Sequence, residues 1–167
     1  GEANLLAEIL SVPMGLRAFV VSPDIMQPGH ANTREWRAAE IPAANGHGNA
    51  RALARAYGAL ARGGELDGVR VLSQEAIDRA VVEQSNGTDA VFGQPDRYGL
   101  GFMLTVPEHP FGPNPRAFGH TGSGGSLGFA DLDAKVGFAY VMNQMGTFSG
   151  LEDPRWSPLA EALYESL

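Results

Sequence analysis

Residues 118–129 read Phe-Gly-His-Thr-Gly-Ser-Gly-Gly-Ser-Leu-Gly-Phe, and no other stretch of the chain limits its fold so tightly. Glycine at this density lets a backbone bend sharply, or lets another group approach the main chain closely. A purely structural strand has no need of such a mixture. A histidine, hydroxyls and bare backbone N–H groups together are what a polar substrate requires. The segment predicts a site presented on a strand.

The residues around it read as a meander. Tyr98 to Val106, Ala117 to Gly122, Leu127 to Leu132 and Val136 to Asn143 predict consecutive strands with short links, hence antiparallel pairing. Asp131 and Asp133 flank the tight turn Asp133-Ala134-Lys135 and read as turn formers, not as a catalytic carboxylate pair.

Helices come before the meander and after it. Residues 2–12 predict one, with Leu5, Leu6, Ile9 and Leu10 on one side. A long irregular segment spans 22–48. Asn49 caps a helix from Ala50 to Arg62, with Leu53, Tyr57 and Leu60 at helical spacing and Gly63-Gly64 as its stop. Gly68 to Leu72 reads as a connector. Ser73 caps a further helix to about Gln84, with Ile77, Ala80 and Val81 inward, and Asn86-Gly87 marks a turn. Ser157 and Pro158 open a terminal helix with Leu159 and Leu163 on its apolar side. This order predicts an α+β fold, an antiparallel sheet flanked by helices. The division expected is 1–96, a partial helical subdomain with connecting loops, and 97–167, the sheet with the terminal helix.

Composition narrows the function classes. Among 167 residues, 44% are hydrophobic and 19% charged, which argues for a globular domain and against disorder. A net charge of −7 with no basic patch argues against a nucleic-acid partner. The absence of cysteine excludes disulfides and thiolate metal sites. No apolar run approaches a membrane span, so no membrane partner is expected. The chain opens Gly-Glu-Ala-Asn, without a signal pattern or initiator Met. This predicts a missing natural N-terminus and leaves the compartment open, with the cytoplasm as default.

Cofactor motifs fail. Gly-x-Gly-x-x-Gly from Gly122 requires glycine at 127, where Leu127 stands, and no Gly-Lys-Ser/Thr occurs. His30, His47, His109 and His120 show no ligand spacing. Neither a metal nor another cofactor is expected. Gly124-Gly125-Ser126-Leu127-Gly128 matches the Gly-x-Ser-x-Gly nucleophile elbow, but an elbow needs a helix after the serine and a histidine downstream. Here a strand follows, and His120, the last histidine, lies upstream.

Several segments together resemble one family. They are Tyr98-Gly99-Leu100-Gly101-Phe102, Phe118-Gly119-His120-Thr121-Gly122 with Gly124 to Asp131, Phe138 to Asn143, and the upstream run Pro42 to Ala54. From about residue 40 to its end the chain resembles the serine β-lactamase-related esterases, which are similar to class C β-lactamases and penicillin-binding proteins. The resemblance implies an acyl-enzyme mechanism. A serine in Ser-x-x-Lys attacks, helped by that lysine and by a tyrosine in Tyr-x-Asn. A third motif, matched here by His120, Thr121 and Gly122, lies on an edge strand facing the serine. Ser123 then holds the position whose backbone N–H helps form the oxyanion hole. Backbone N–H groups can stabilise the charge that develops in acyl transfer. His120 and Thr121 are expected to donate hydrogen bonds or tune charge, while Gly122 and Gly124 let substrate lie close.

This sequence departs from the pattern in two motifs. The sole lysine, Lys135, has Leu132 three places before it, so Ser-x-x-Lys is absent. Tyr57, Tyr98, Tyr140 and Tyr164 are followed two places later by Ala59, Leu100, Met142 and Ser166, so Tyr-x-Asn is absent too. The expectation is the C-terminal portion of a serine hydrolase for a small acyl ester or β-lactam-like substrate, inactive alone. Histidine in place of lysine in the third motif leans toward esters. The chain is expected to join its missing N-terminal part, or to expose apolar surface and oligomerise. The alternative is a non-catalytic relative that binds a ligand or partner.

Overall fold

Asp131 is fully buried, and no ion pair to it is found among the described residues. Four hydrogen-bond donors meet it instead. Its Oδ1 accepts from Asp133 N and Ala134 N, each at 2.9 Å. Its Oδ2 accepts from Asn114 Nδ2 at 2.8 Å and from Tyr164 OH at 2.7 Å. Burial opposes ionisation, but these bonds outweigh it and hold the pKa below the ordinary 3.8. The same environment and the nearby carboxylate push the Tyr164 phenol upward. One carboxylate thereby joins a turn, a loop and the terminal helix, around an antiparallel sheet.

The structure is a computed structural model, and it describes residues 29–42, 44–90, 93–146 and 153–167. The helix expected over 2–12 lies outside them. The chain divides into two compact units, Gly1–Gly48 with Thr88–Gln94, and Asn49–Gly87 with Pro95–Leu167. In the first, the segment expected to be irregular contains a 3-10 turn, His30–Asn32, and helix α1, Arg34–Ala38. Thr33 starts α1 by accepting a hydrogen bond from Trp36 N at 3.2 Å.

The second unit carries the sheet. Helix α2, Ala50–Ala61, begins as expected: Asn49 Oδ1 accepts from Ala52 N at 2.9 Å. It stops at Gly63 and Gly64, both at φ +84°. The expected connector is instead a ribbon, β1 (Glu65–Leu66) paired with β2 (Val69–Arg70). Asp67 and Gly68 have φ of 52° and 79°, the paired positive values of a tight hairpin turn that Asp-Gly favours. Helix α3, Gln74–Ala80, is capped by Ser73 and ends four residues earlier than expected. The chain leaves it for β3, Ser85–Thr88, so Asn86-Gly87 lies in a strand and not at a turn.

The expected strand 98–106 is broken. It forms the end of β4 (Pro95–Tyr98) and all of β5 (Met103–Leu104), with a turn between them. Gly99 N donates to Phe102 O at 2.9 Å, and Gly101 takes φ +82°. A side chain on Gly99 would strike the Ala80 carbonyl at the end of α3, so the glycine admits the helix there. Strands β6 (Ala117–Gly122), β7 (Ser126–Asp131) and β8 (Val136–Tyr140) follow close to expectation. The sheet order is β3-β4-β5-β6-β7-β8.

Alternation along the strands builds two cores. On one face Met103, Ala117, Leu127 and Phe129 pack with Phe111, Trp156 and Ala160. On the other Leu104, Phe118, Ala130 and Leu132 pack with Ala61 and Ile77. Helix α4, Ser157–Glu165, covers the first face. Its buried side runs Trp156, Ala160 and Tyr164 at four-residue spacing, so Leu159, expected inward, is 51% exposed. Trp156, not Ser157, occupies the N-cap position. The antiparallel sheet with flanking helices is the expected α+β, β-lactamase-like architecture.

Removing the Asp131 carboxylate strands four donors on three separate parts of the fold. Asp131→Ala is expected to lower the unfolding free energy by about 3 kcal/mol, and Tyr164→Phe by about 1 kcal/mol, in urea titrations. Because the folded-state pKa is depressed, the stabilisation is complete above pH 3.8 and is lost on acidification below it.

Candidate active site

Strand β6 outruns its neighbour. β5 pairs with Phe118 and Gly119, whereas β7 pairs with the whole of β6 through Gly122↔Ser126. The edge strand implied by the family resemblance is therefore an interior strand whose last three residues, His120 to Gly122, pass beyond β5. The reason is the Gly99–Gly101 turn, which leaves β5 only two residues long. Along that end, main-chain groups face away from β7 on a flank that no named strand covers among the described residues. An extended substrate can meet such groups as an added strand does.

His120 is exposed on this end. Its Nδ1 lies 2.5 Å from the Thr121 carbonyl oxygen. A carbonyl only accepts, so Nδ1 carries a hydrogen, and Nε2 is the ring nitrogen left free of that contact. The ring sits 6.1 Å from that of Tyr98. Directly opposite His120 is Gly128, and the space its side chain would fill is occupied by the Tyr57 ring of α2. His120 and Tyr57 therefore share one face of the sheet.

Thr121 turns the other way. Its Oγ1 lies 3.8 Å from Met103 Sδ, and it lines a small cavity with Val106, His109, Phe111 and Trp156 on the α4 face. The side chains of His120 and Thr121 thus do not converge. Two of the main-chain acceptors here are already used, the Thr121 carbonyl by His120 Nδ1 and the Gly122 carbonyl by Gly125 N.

Ser123 to Gly125 close the hairpin. Ser123 is exposed and Gly124 buried. Gly124 and Gly125 adopt φ of 86° and 108°, values that other residues rarely reach. A side chain on Gly125 would collide with the Asp153 carboxylate and the Arg155 guanidinium. Gly125 N donates to Gly122 O at 3.0 Å. The Gly124 carbonyl accepts twice, from Gly146 N at 2.8 Å and from Arg155 Nη2 at 2.6 Å.

Arg155 is itself held. Its Nε donates to Asp153 Oδ1 at 2.8 Å, its Nη1 to Gln144 O at 3.0 Å, and its Nη2 pairs with Asp153 Oδ2. Asp153 is buried, and the hydrogen bonds from the Arg155 side chain bring its pKa down to about 2 against the opposing effect of burial. Sequence reasoning missed this pair. Asp153-Pro154-Arg155 does suggest a local turn, in which Oδ1 accepts from Arg155 N at 2.9 Å. Nothing along the chain connects that turn with Gly124.

Ser126 is the first residue of β7, and strands stand on both sides of the glycine-rich loop. The strand-turn-helix of a nucleophile elbow is not built here.

Fold and loop together match a known class. The Beta-lactamase family pattern covers residues 8–161, and the chain belongs to that family. It is 46% identical to a family VIII carboxylesterase of known structure, over 92% of this chain and 40% of that one, with a TM-score of 0.83. It is 44% identical to a penicillin-binding protein homolog from Caulobacter crescentus, over 85% of this chain and 38% of that one, with a TM-score of 0.77. Esterase/beta-lactamase LipL of Mycobacterium tuberculosis is 44% identical over 110 residues, 64% of this chain and 24% of LipL. The chain therefore spans about two fifths of these solved relatives and about a quarter of LipL. Relatives named as esterases and β-lactamases mark a hydrolase family.

The clamp has an acid signature. A carboxyl-carbon NMR titration is expected to show Asp153 inflecting near pH 2, well below the ordinary 3.8. Its folded-state pKa is depressed, so its stabilisation is full above pH 3.8 and fades as the pH falls toward 2. An inflection at 3.8 would mean that Arg155 is not bound to it.

Proposed function

We propose that this chain forms the oxyanion side of a serine esterase that works through an acyl-enzyme. The observation that carries the reading is the exposed residue Ser123, which follows a hydrogen-bonded glycine turn at the end of β6 that no named strand covers on the β5 side among the described residues. Similarity to a carboxylesterase over most of the chain supports it.

Acyl transfer places negative charge on the former carbonyl oxygen. A fixed backbone N–H meets that charge without reorganising, and losing one such donor raises the barrier by about 3 kcal/mol. Gly122 and Gly124 bring the acyl group close to the strand. His120 offers Nε2 at the exposed face, where it can exchange a proton with the alcohol that enters or leaves. Histidine stands where a lysine would suit the carboxylate of a β-lactam, so small acyl esters are the substrate class.

The nucleophile is the part this sequence does not supply, since neither Ser-x-x-Lys nor Tyr-x-Asn occurs in it. In this reading the attacking serine comes from polypeptide outside these 167 residues, and the chain by itself turns over nothing. The same absence favours the second reading, a relative that binds a ligand without cleaving it. A Ser-x-x-Lys in the complete reading frame decides for the enzyme.

Hydrolysis of a short p-nitrophenyl ester tests the assignment. The complete protein is expected to be active and the 167-residue chain inactive. In the complete protein, Ser123→Ala should keep kcat within about twofold, because the hydroxyl is not the donor. Ser123→Pro removes the N–H and should lower kcat by about 100-fold or more. Equal losses in the two variants, or clear turnover by the short chain alone, would sink the reading.

A further inference from the structure

We propose that Arg155 is a positioning residue for the Ser123 amide and acts on it through two linked peptide groups. The proposal rests on the acyl-transfer reading above. Arg155 Nη2 donates to the Gly124 carbonyl at 2.6 Å. That carbonyl shares a peptide plane with Gly125 N–H. Gly125 N–H donates to the Gly122 carbonyl at 3.0 Å. The Gly122 carbonyl shares the next plane with Ser123 N–H. The series runs from a guanidinium to the amide that faces the oxyanion.

Two effects follow. The first is geometric. In a trans peptide the N–H points opposite to its C=O. Holding the Gly122 carbonyl toward Gly125 therefore turns Ser123 N–H away from the loop interior, on the exposed residue. Neither plane can rotate without breaking a bond, and Gly146 N holds the Gly124 carbonyl from a second direction at 2.8 Å.

The second effect is electronic. Hydrogen bonds in series polarise one another, by about 10–30% per bond. The first donor here is a guanidinium that stays charged at any working pH. Asp153 offsets that charge at a distance, so the influence passes along the bonded series and not through space. A more polarised Ser123 N–H favours the anionic transition state over the neutral ester. Arg155 should consequently act on kcat and leave KM almost alone.

Amide NMR of the 167-residue chain reads the series directly. In Arg155→Met, the Ser123 and Gly125 amide protons are expected to shift upfield and exchange faster, while amides within β8 stay in place. Arg155→Lys should give a smaller shift in the same direction. If Arg155→Met does not fold, Arg155→Gln, which keeps a polar side chain but loses the charge, serves for the same comparison. In the complete protein, Arg155→Met should lower kcat about tenfold with KM within about twofold. A Ser123 amide that stays fixed while Gly125 moves, or a rise in KM with kcat intact, would overturn the proposal. Movement of both amides with unchanged ester turnover would leave the relay standing and overturn the oxyanion role of Ser123 instead.

Discussion

One helix and its leader hold both ends of the hairpin that carries the candidate site. At the far end of α4, Tyr164 donates to the buried Asp131 at the close of β7. Just before the helix begins, Arg155 donates to Gly124 in the β6–β7 loop. Between these anchors Trp156 and Ala160 pack on the sheet, and the Tyr164 ring lies parallel to Phe129 at 6.4 Å. The helix acts as a splint along the hairpin. Its polar ends fix direction and its apolar side supplies burial. The loop conformation follows, and with it the direction in which Ser123 presents its amide.

The opposite face is fitted by what is missing from side chains. Gly58 of α2 lies against Gly137 of β8, where any side chain would meet helix backbone. Tyr57 fills the space above Gly128. Small residues let the helix come close to β7 and β8, which is why Gly58, Ala59 and Ala61 are its buried positions, while Leu53 and Leu60 are only half-buried. The cost is a helix of modest intrinsic propensity at Gly58, offset by packing. Tight packing behind Gly128 also sets the floor beneath His120, its cross-strand partner.

Much of the fold was legible because its signals are local. Asn49 and Ser73 are caps whose side chains reach backbone three residues on, so the helices they start were readable. Asp131 and Asp133 stood out as turn formers at the β7–β8 link, and Asp131 does close that turn. Errors arose where glycine had two possible meanings. Gly99 and Gly101 fall inside the strand expected from Tyr98 to Val106, yet they turn the chain between two strands. Asn86-Gly87 looked like a turn but is held extended by pairing in the sheet. Leu159 seemed to belong to the core because hydrophobicity alone ranks it above Ala160.

The chain's own residues determined the meander, its helix caps and the glycine loop, since each rests on contacts between near neighbours in sequence. Family membership was readable for the same reason, from short runs such as His120-Thr121-Gly122. Tertiary structure alone decided which face each strand residue takes, that β6 outlasts β5, and that Arg155 reaches a carbonyl 31 residues away. Those outcomes depend on the register of the sheet and the docking of α4. Both are set by the sum of many weak contacts across the fold, and no single stretch of sequence encodes that sum.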